Sequence, residues 1–165
     1  MRFKTERLEI KPLRESDLDK LVLEINNINI AKYVVHIPHP YTLDDAKNYF
    51  NRSKGNELRQ NIYLDNSLIG AIGLNKKDEN AFEVGYWIGE KYWGNGYASE
   101  ALHGMIEHLK KHYPEIKYLK ADYIHGNIGS GKVLQKCGFK MIGKSEVYIL
   151  SLDESFPTTL VSLKL

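Results

Sequence analysis

Two glycines one residue apart, Gly94-Asn95-Gly96, stand where a strand pattern gives way to a helix pattern, and this junction limits the available folds more than any other stretch. Ahead of it, Ala81 to Ile88 alternates, with Phe82, Val84, Tyr86 and Ile88 on one face and Glu83, Gly85 and Trp87 on the other. Behind it, Ala98, Ala101, Leu102, Met105, Ile106 and Leu109 repeat at the spacing of one helix face. Lys110, Lys111 and His112 suit the negative end of that helix, Pro114 follows it, and Tyr118 to Ile124 reads as a strand again. A strand, a helix and a strand in this order need a right-handed crossover and parallel pairing. Glycine permits positive φ and lets a ligand approach the backbone closely. The helix aims its first free N–H groups and its positive dipole end at the loop, which is the physics of a phosphate or pyrophosphate site.

The remaining elements are read from periodicity and turn chemistry. Leu8 to Leu13 forms a first strand ended by Pro12. Ser16, with Asp19 three positions on, resembles a capping box for a helix that Asn26 and Asn27 end. Ile28 to Tyr41 is expected as a short helix and then a surface loop holding His36, Pro38, His39 and Pro40. Thr42 caps a helix through Phe50 that Gly55 stops. Asn61 to Leu64 and Leu68 to Leu74 are strands joined at Asp65-Asn66-Ser67, with a polar turn from Asn75 to Asn80. Asn127 to Cys137 is a second helix behind the crossover, ended by Gly138, and Phe139 to Leu150 and Phe156 to Leu165 close the chain as a strand pair. The fold class is α/β, or α+β. It is expected as a mixed, mostly antiparallel central sheet with helices on both faces, the fourth and fifth expected strands (81–88 and 118–124) being the parallel pair.

A chain of 165 residues fits one domain, 1–165, and buries roughly 70% of its unfolded surface without staples. A net charge of +2 argues against nucleic acid or an anionic membrane as partner. Cys137 is the only cysteine, which excludes an internal disulfide and suits the cytoplasm. No apolar h-region follows Met1-Arg2-Phe3-Lys4, and no run approaches the ~20 residues that span a bilayer.

A second glycine run, Gly126 to Lys132, matches the spacing of a nucleotide-triphosphatase loop. The next residue is Val133, which cannot hold a metal, and little chain remains to supply the other parts of such a site. The run at Gly94 is not a dinucleotide fingerprint either, because Ser99 stands where a third glycine is required. Three blocks in order carry a different resemblance. Lys91-Tyr92-Trp93-Gly94-Asn95-Gly96-Tyr97-Ala98 closely resembles the acetyl-coenzyme A loop of the GNAT acyltransferase superfamily, with Lys91 replacing the usual Gln or Arg. Asn127 to Ser130 and Lys136 to Phe139 resemble that family's next helix and its Gly-Phe exit. Thr5 to Leu13 resembles the opening strand of the ribosomal-protein N-terminal (alanine/serine) acetyltransferases.

The resemblance implies an acetyl-CoA-dependent N-acetyltransferase with a splayed parallel pair. The coenzyme A pyrophosphate would lie on the backbone of Lys91, Trp93, Gly94, Asn95, Gly96, Tyr97 and Ala98. Trp87, Ile88 and Gly89 would offer backbone groups to pantetheine, and an N–H there would stabilise the developing oxyanion. Asn127 would hold the pantetheine arm and equally suits a helix N-cap. Lys132 is a candidate for the phosphates and equally a solvated helix lysine. Many relatives carry a tyrosine acid where this chain has Leu134, so Ser130 becomes the substitute acid. Glu90 matches a carboxylate suggested as base in the ribosomal-protein subgroup, and Glu83 is the other candidate base. His36 and His39 fall where the family builds its acceptor site. His108 and His112 are one turn apart, but no metal is expected. The acceptor is a primary amine, either a protein N-terminus such as a ribosomal protein's or a small molecule, and the protein a monomer or homodimer. The competing expectation is a catalytically silent coenzyme A-binding module.

Overall fold

The structure, a computed structural model, describes residues 1–165. Its strands are β1 (Phe3–Lys4), β2 (Leu8–Lys11), β3 (Arg59–Leu64), β4 (Ser67–Asp78), β5 (Ala81–Ile88), β6 (Tyr118–Ile124), β7 (Lys140–Ile149) and β8 (Glu154–Lys164). Its helices are α1 (Leu18–Ile25), α2 (Ile28–Ala31), α3 (Leu43–Ser53), α4 (Tyr97–His112) and α5 (Ile128–Lys136). The strands form one sheet in the order β1-β2-β3-β4-β5-β6-β8-β7. Every neighbouring pair is antiparallel except β5 and β6, the pair joined by the α4 crossover.

Burial separates the two faces. On one, Leu102, Met105 and Leu109 of α4 and Leu134 of α5 pack on Ile10, Ile62, Ile72 and Leu119 of the sheet. On the other, Leu21, Ile25, Ile30, Ala31 and Ala46 of α1–α3 pack on Tyr63 and Leu68. Cross-strand partners share a face, so the register assigns the rest. Tyr86 pairs with Ile72 and faces α4 and α5, whereas Trp87 pairs with Ala71 and packs with the α1–α3 cluster.

Four details differ from the sequence reading. The strand β1 was not expected, because two residues carry no periodicity; it exists by pairing Phe3 with Ile10 and Lys4 with Glu9. Strand β2 stops at Lys11, whose ammonium is buried against Glu9 and lies over the Tyr63 ring. The Ser16–Asp19 capping box does not form. Glu15–Asp17 is a short 3-10 turn, and Asp17 instead receives Arg14 at 2.7 Å and the Tyr63 hydroxyl at 2.8 Å. The turn expected over Asn75 to Asn80 narrows to Glu79 and Asn80, because β4 pairs with β5 as far as Asp78 and Asp78 accepts the Asn80 N–H. The Thr42 cap is a full capping box with Asp45.

Candidate active site

Gly94 and Gly96 adopt φ of +79° and +81°, a left-handed conformation that side-chain-bearing residues rarely take. A Cβ at Gly94 would meet nothing within 4 Å, and one at Gly96 only the Arg7 guanidinium at 3.7 Å. Conformation therefore requires these glycines, and the space beside them is open. Gly96 also starts α4 without any side-chain cap, unlike α3 and α5, which Thr42 and Asn127 cap. The first backbone bond of α4 runs from Glu100 N–H to Gly96 O at 3.0 Å. The N–H groups of Tyr97, Ala98 and Ser99 are thus left pointing out of the helix start, where an anion is favoured.

The loop is braced from outside. The Asn95 amide donates to the carbonyls of Tyr92 and Trp93, and the Asn95 carbonyl accepts from Arg7 at 3.1 Å. Arg7 is itself held by Glu100 at 2.7 Å and lies over the Tyr97 ring. Burial pushes the Glu100 carboxyl up, but hydrogen bonds from Thr5 and Arg7 outweigh it and hold the group below its ordinary value. Trp93 donates its indole N–H to the Ile88 carbonyl at 2.7 Å, tying the loop to the end of β5. Lys91 turns back to α1, where its ammonium and that of Lys20 both reach buried Glu24, at 2.7 and 2.6 Å. The hydrogen bond to Glu24 raises Lys91 above the ordinary lysine range.

Strands β5 and β6 are paired only from Ala81–Tyr118 to Glu83–Lys120, and beyond that they part. The Gly89 N–H donates to Ile69 O at 2.8 Å on β4. Hydrogen-bonded pairs alternate in an antiparallel ladder, so Trp87 and Gly85 also turn their backbone to β4, while Ile88, Tyr86 and Val84 turn theirs to the gap. Of the expected trio Trp87, Ile88 and Gly89, the residue facing the gap is Ile88. Its carbonyl is taken by Trp93, which leaves its N–H.

A cavity of about 1320 Å³ runs from the glycine loop through this gap to the α1–α3 face. On the α4/α5 side it is lined by Tyr86, Asn127, Ser130 and Lys132, and on the other by Glu83, Gly85, Trp87, His36 and Asp122. Trp93, Gly94, Gly96, Tyr97 and Ala98 also line it, whereas Gly89, Glu90, Lys91, Asn95 and His39 do not.

The Tyr86 hydroxyl lies 3.0 Å from Ser130 Oγ. Burial pushes this phenol well above its ordinary value, so it keeps its proton. Asn127 accepts the Ser130 N–H at 3.1 Å, and Leu134 is buried in the core. Glu90 is clamped by the side-chain amides of Asn27 at 2.5 Å and Asn29 at 2.9 Å. Glu83 faces the cavity and pairs with Lys77 at 2.9 Å. Asp122 projects into the same space, and burial, followed by the charge of Glu83, raises its carboxyl above the ordinary range. Tyr86 and Asp122 were not singled out from the sequence. An acid two residues after Lys120, on the same face of the strand Tyr118–Ile124, was the available signal for Asp122. Nothing local marks Tyr86, because its partner Ser130 lies 44 residues away.

Comparison with known proteins bears on the family and the fold. Residues 7–140 match the family described as acetyltransferase (GNAT) domain. The chain is 28% identical over 147 residues to the uncharacterized N-acetyltransferase YnaD of Bacillus subtilis (strain 168), covering 87% of this chain and 85% of that one. It superposes on the crystal structure of a GNAT-family acetyltransferase from Bacillus anthracis with a TM-score of 0.88 at 24% identity, over 99% and 98% of the two chains. It also superposes on RimL, a ribosomal L7/L12 α-N-protein acetyltransferase in complex with coenzyme A, with a TM-score of 0.85 at 16% identity, over 100% and 98%.

Proposed function

The chain belongs to the GNAT acetyltransferase family, and on that premise we propose that it carries an acetyl group directly from acetyl-coenzyme A to a primary amine held on the α1–α3 face of the sheet. One coincidence carries this reading. An uncapped helix start behind two positive-φ glycines opens into the gap of a parallel pair that stops bonding after Glu83–Lys120.

Acetyl-coenzyme A supplies the thioester carbonyl that the amine attacks. The backbone of Trp93, Gly94 and Gly96 and the N–H groups of Tyr97 and Ala98 form a neutral cradle for its pyrophosphate, with Lys132 and Asn127 on the opposite wall, while Lys91 and Asn95 brace the loop from behind. The Ile88 N–H faces the gap and suits a developing oxyanion. The attacking amine must be neutral, and Asp122, beside Glu83, takes its proton. Ser130, hydrogen-bonded to the Tyr86 phenol, relays to the departing sulfur the proton that the newly bonded nitrogen gives up, so neither hydroxyl is left ionised, and it fills the role that Leu134 cannot. This donor pair favours turnover over a catalytically silent coenzyme A-binding module. Glu90 acts through position, holding the α1–α2 turn against the loop. His36 lies at the mouth of the acceptor side, and His39 lies outside it.

We take the acceptor to be a protein amino terminus, by likeness to the ribosomal L7/L12 acetyltransferase, and the location to be cytoplasmic. No helix is long and apolar enough to cross a membrane. The direct test is thiol release from acetyl-coenzyme A in the presence of peptides, polyamines and amino acids. Release that depends on an amine, with sequential rather than ping-pong kinetics, is expected. Failure of coenzyme A to bind overturns the reading.

Asp122 gives a pH prediction. It acts as base only when ionised, so the rate falls as pH drops through its raised value. Asp122→Asn is expected to remove that acidic limb and lower kcat about tenfold, less than a sole base would cost, because Glu83 remains beside it. The stability sign is opposite. The folded state binds this proton more tightly than the unfolded chain, so the wild type loses stability as pH rises, and the variant is expected to be the more stable in urea at pH 7.

A further inference from the structure

Five arginines occur in the chain. Arg2, Arg7 and Arg14 are ion-paired to Glu9, Glu100 and Asp17. Arg52 and Arg59 have no ion pair and no side-chain hydrogen bond, and both line the acceptor side of the cavity. On the helix that carries Arg52, the acid Asp45 is already engaged by the Thr42 hydroxyl and N–H. Two guanidiniums without an ion pair thus line one cavity, and Asp45 feels Arg52 only at a distance while bonded to Thr42.

Sheet register connects that wall to the reacting end. Arg59 pairs with Gly73, and Gly73 pairs with Gly85. Asp122 lies two residues beyond the last paired position, Glu83–Lys120, on the same sheet face as Gly85 and across the gap from it. Across this face the order is therefore cation, glycine, glycine and, beyond the gap, acid. A Cβ at Gly85 would meet nothing within 4 Å, so the middle of the row is an open floor. Trp87 and Ala71 wall it on one side, Glu83 and Asn75 on the other.

We propose that the acceptor is an amine bearing a carboxylate, lying across the Gly73–Gly85 floor with its amino group at Asp122 and its carboxylate between Arg52 and Arg59. This rests on the acetyl-transfer reading above and names the substrate class for the same site. Three strand spacings separate Asp122 from Arg59, roughly 14 Å, of which the two side chains reaching toward the floor cover a few ångströms. At about 3.3 Å per extended residue, the carboxylate falls two or three residues from the amino terminus. A guanidinium binds a carboxylate with two parallel hydrogen bonds, so two of them discriminate strongly against neutral or basic acceptors.

The test avoids any need for turnover. Coenzyme A is joined through a thioether-acetyl bridge to the amino group of Ala-Ala-Asp, Ala-Ala-Asn and Ala-Ala-Lys amides, and to Ala-Ala-Ala with a free carboxyl end. Binding to the full chain is measured by calorimetry, with coenzyme A as reference. The aspartyl conjugate is expected to bind about tenfold tighter than the asparaginyl one, with the lysyl conjugate weakest. Arg52→Ala with Arg59→Ala should erase that order and leave the coenzyme A affinity unchanged, since neither side chain supports the fold or the glycine loop. A gain confined to the aspartyl amide supports a polypeptide amino terminus as the source, and an equal gain for the free-carboxyl tripeptide supports a small acidic acceptor. Equal affinity for the aspartyl, asparaginyl and lysyl conjugates, or an order that survives the double substitution, overturns the proposal while acetyl transfer stands. Loss of coenzyme A binding itself overturns both.

Discussion

Replacing Gly96 by valine is expected to weaken coenzyme A binding by roughly a hundredfold or more while the protein stays folded. The residue holds φ of +81° at the start of α4, and a left-handed backbone costs an ordinary residue about 1–2 kcal/mol, more when it is β-branched. That strain alone corresponds to roughly five- to thirtyfold. The larger part comes from function, because relieving it re-aims the N–H groups of Tyr97 and Ala98, and the new methyls occupy the open side of the loop. Gly96 is exposed and its Cβ would meet only the Arg7 guanidinium, at an ordinary contact distance of 3.7 Å, so little else in the structure resists the change. Calorimetry with coenzyme A and a thermal melt check the two halves separately. Unchanged affinity would remove the cradle from the mechanism.

The contrast between this glycine and the rest of the site explains what the sequence made legible. Gly94 and Gly96 announce themselves because positive φ is a local demand, met within three residues. The helix of Ala98 to Leu109 and the strand of Tyr118 to Ile124 are equally local, since one buried face stamps its period on each. The splay of β5 from β6 is different: no residue type encodes it, and the family resemblance, not periodicity, supplied it. The polar contacts across the gap lie further out of reach. Tyr86 meets Ser130 because α5 folds over β5, and Asp122 shares a face with Gly85 because a parallel register was set at Ala81 and Tyr118 before the strands part. Ser16 and Asp19 err in the opposite direction. Their spacing suits a capping box, but Asp17 gains more from Arg14 and Tyr63, a tertiary pairing that local spacing does not contain. Glu90 was favoured by likeness as the base, and its two amide partners, Asn27 and Asn29, are visible only once α1 and α2 pack beside the loop.

Gly85→Val is expected to abolish acceptor turnover, by about a thousandfold, with acetyl-coenzyme A affinity nearly unchanged. The substitution suits the strand: valine favours extended backbone, and a Cβ here meets no protein atom within 4 Å. The space it fills is the middle of the floor between Asp122 and the Arg52–Arg59 wall. Because side chains alternate along β5, the valine projects toward α1–α3, away from the face that carries Tyr86 and Ser130 and away from the glycine loop. A displacement of even 1 Å from attack geometry costs about a hundredfold, and an isopropyl group on the floor displaces the amine further than that. The measurements are kcat/KM for the best acceptor found, the dissociation constant for coenzyme A, and the urea midpoint. Loss of acceptor turnover with the other two intact would separate the acceptor floor from the cofactor cradle on a single strand. Full activity in the valine variant would mean that the amine approaches by another route, and would remove Asp122 together with Gly85 from the site.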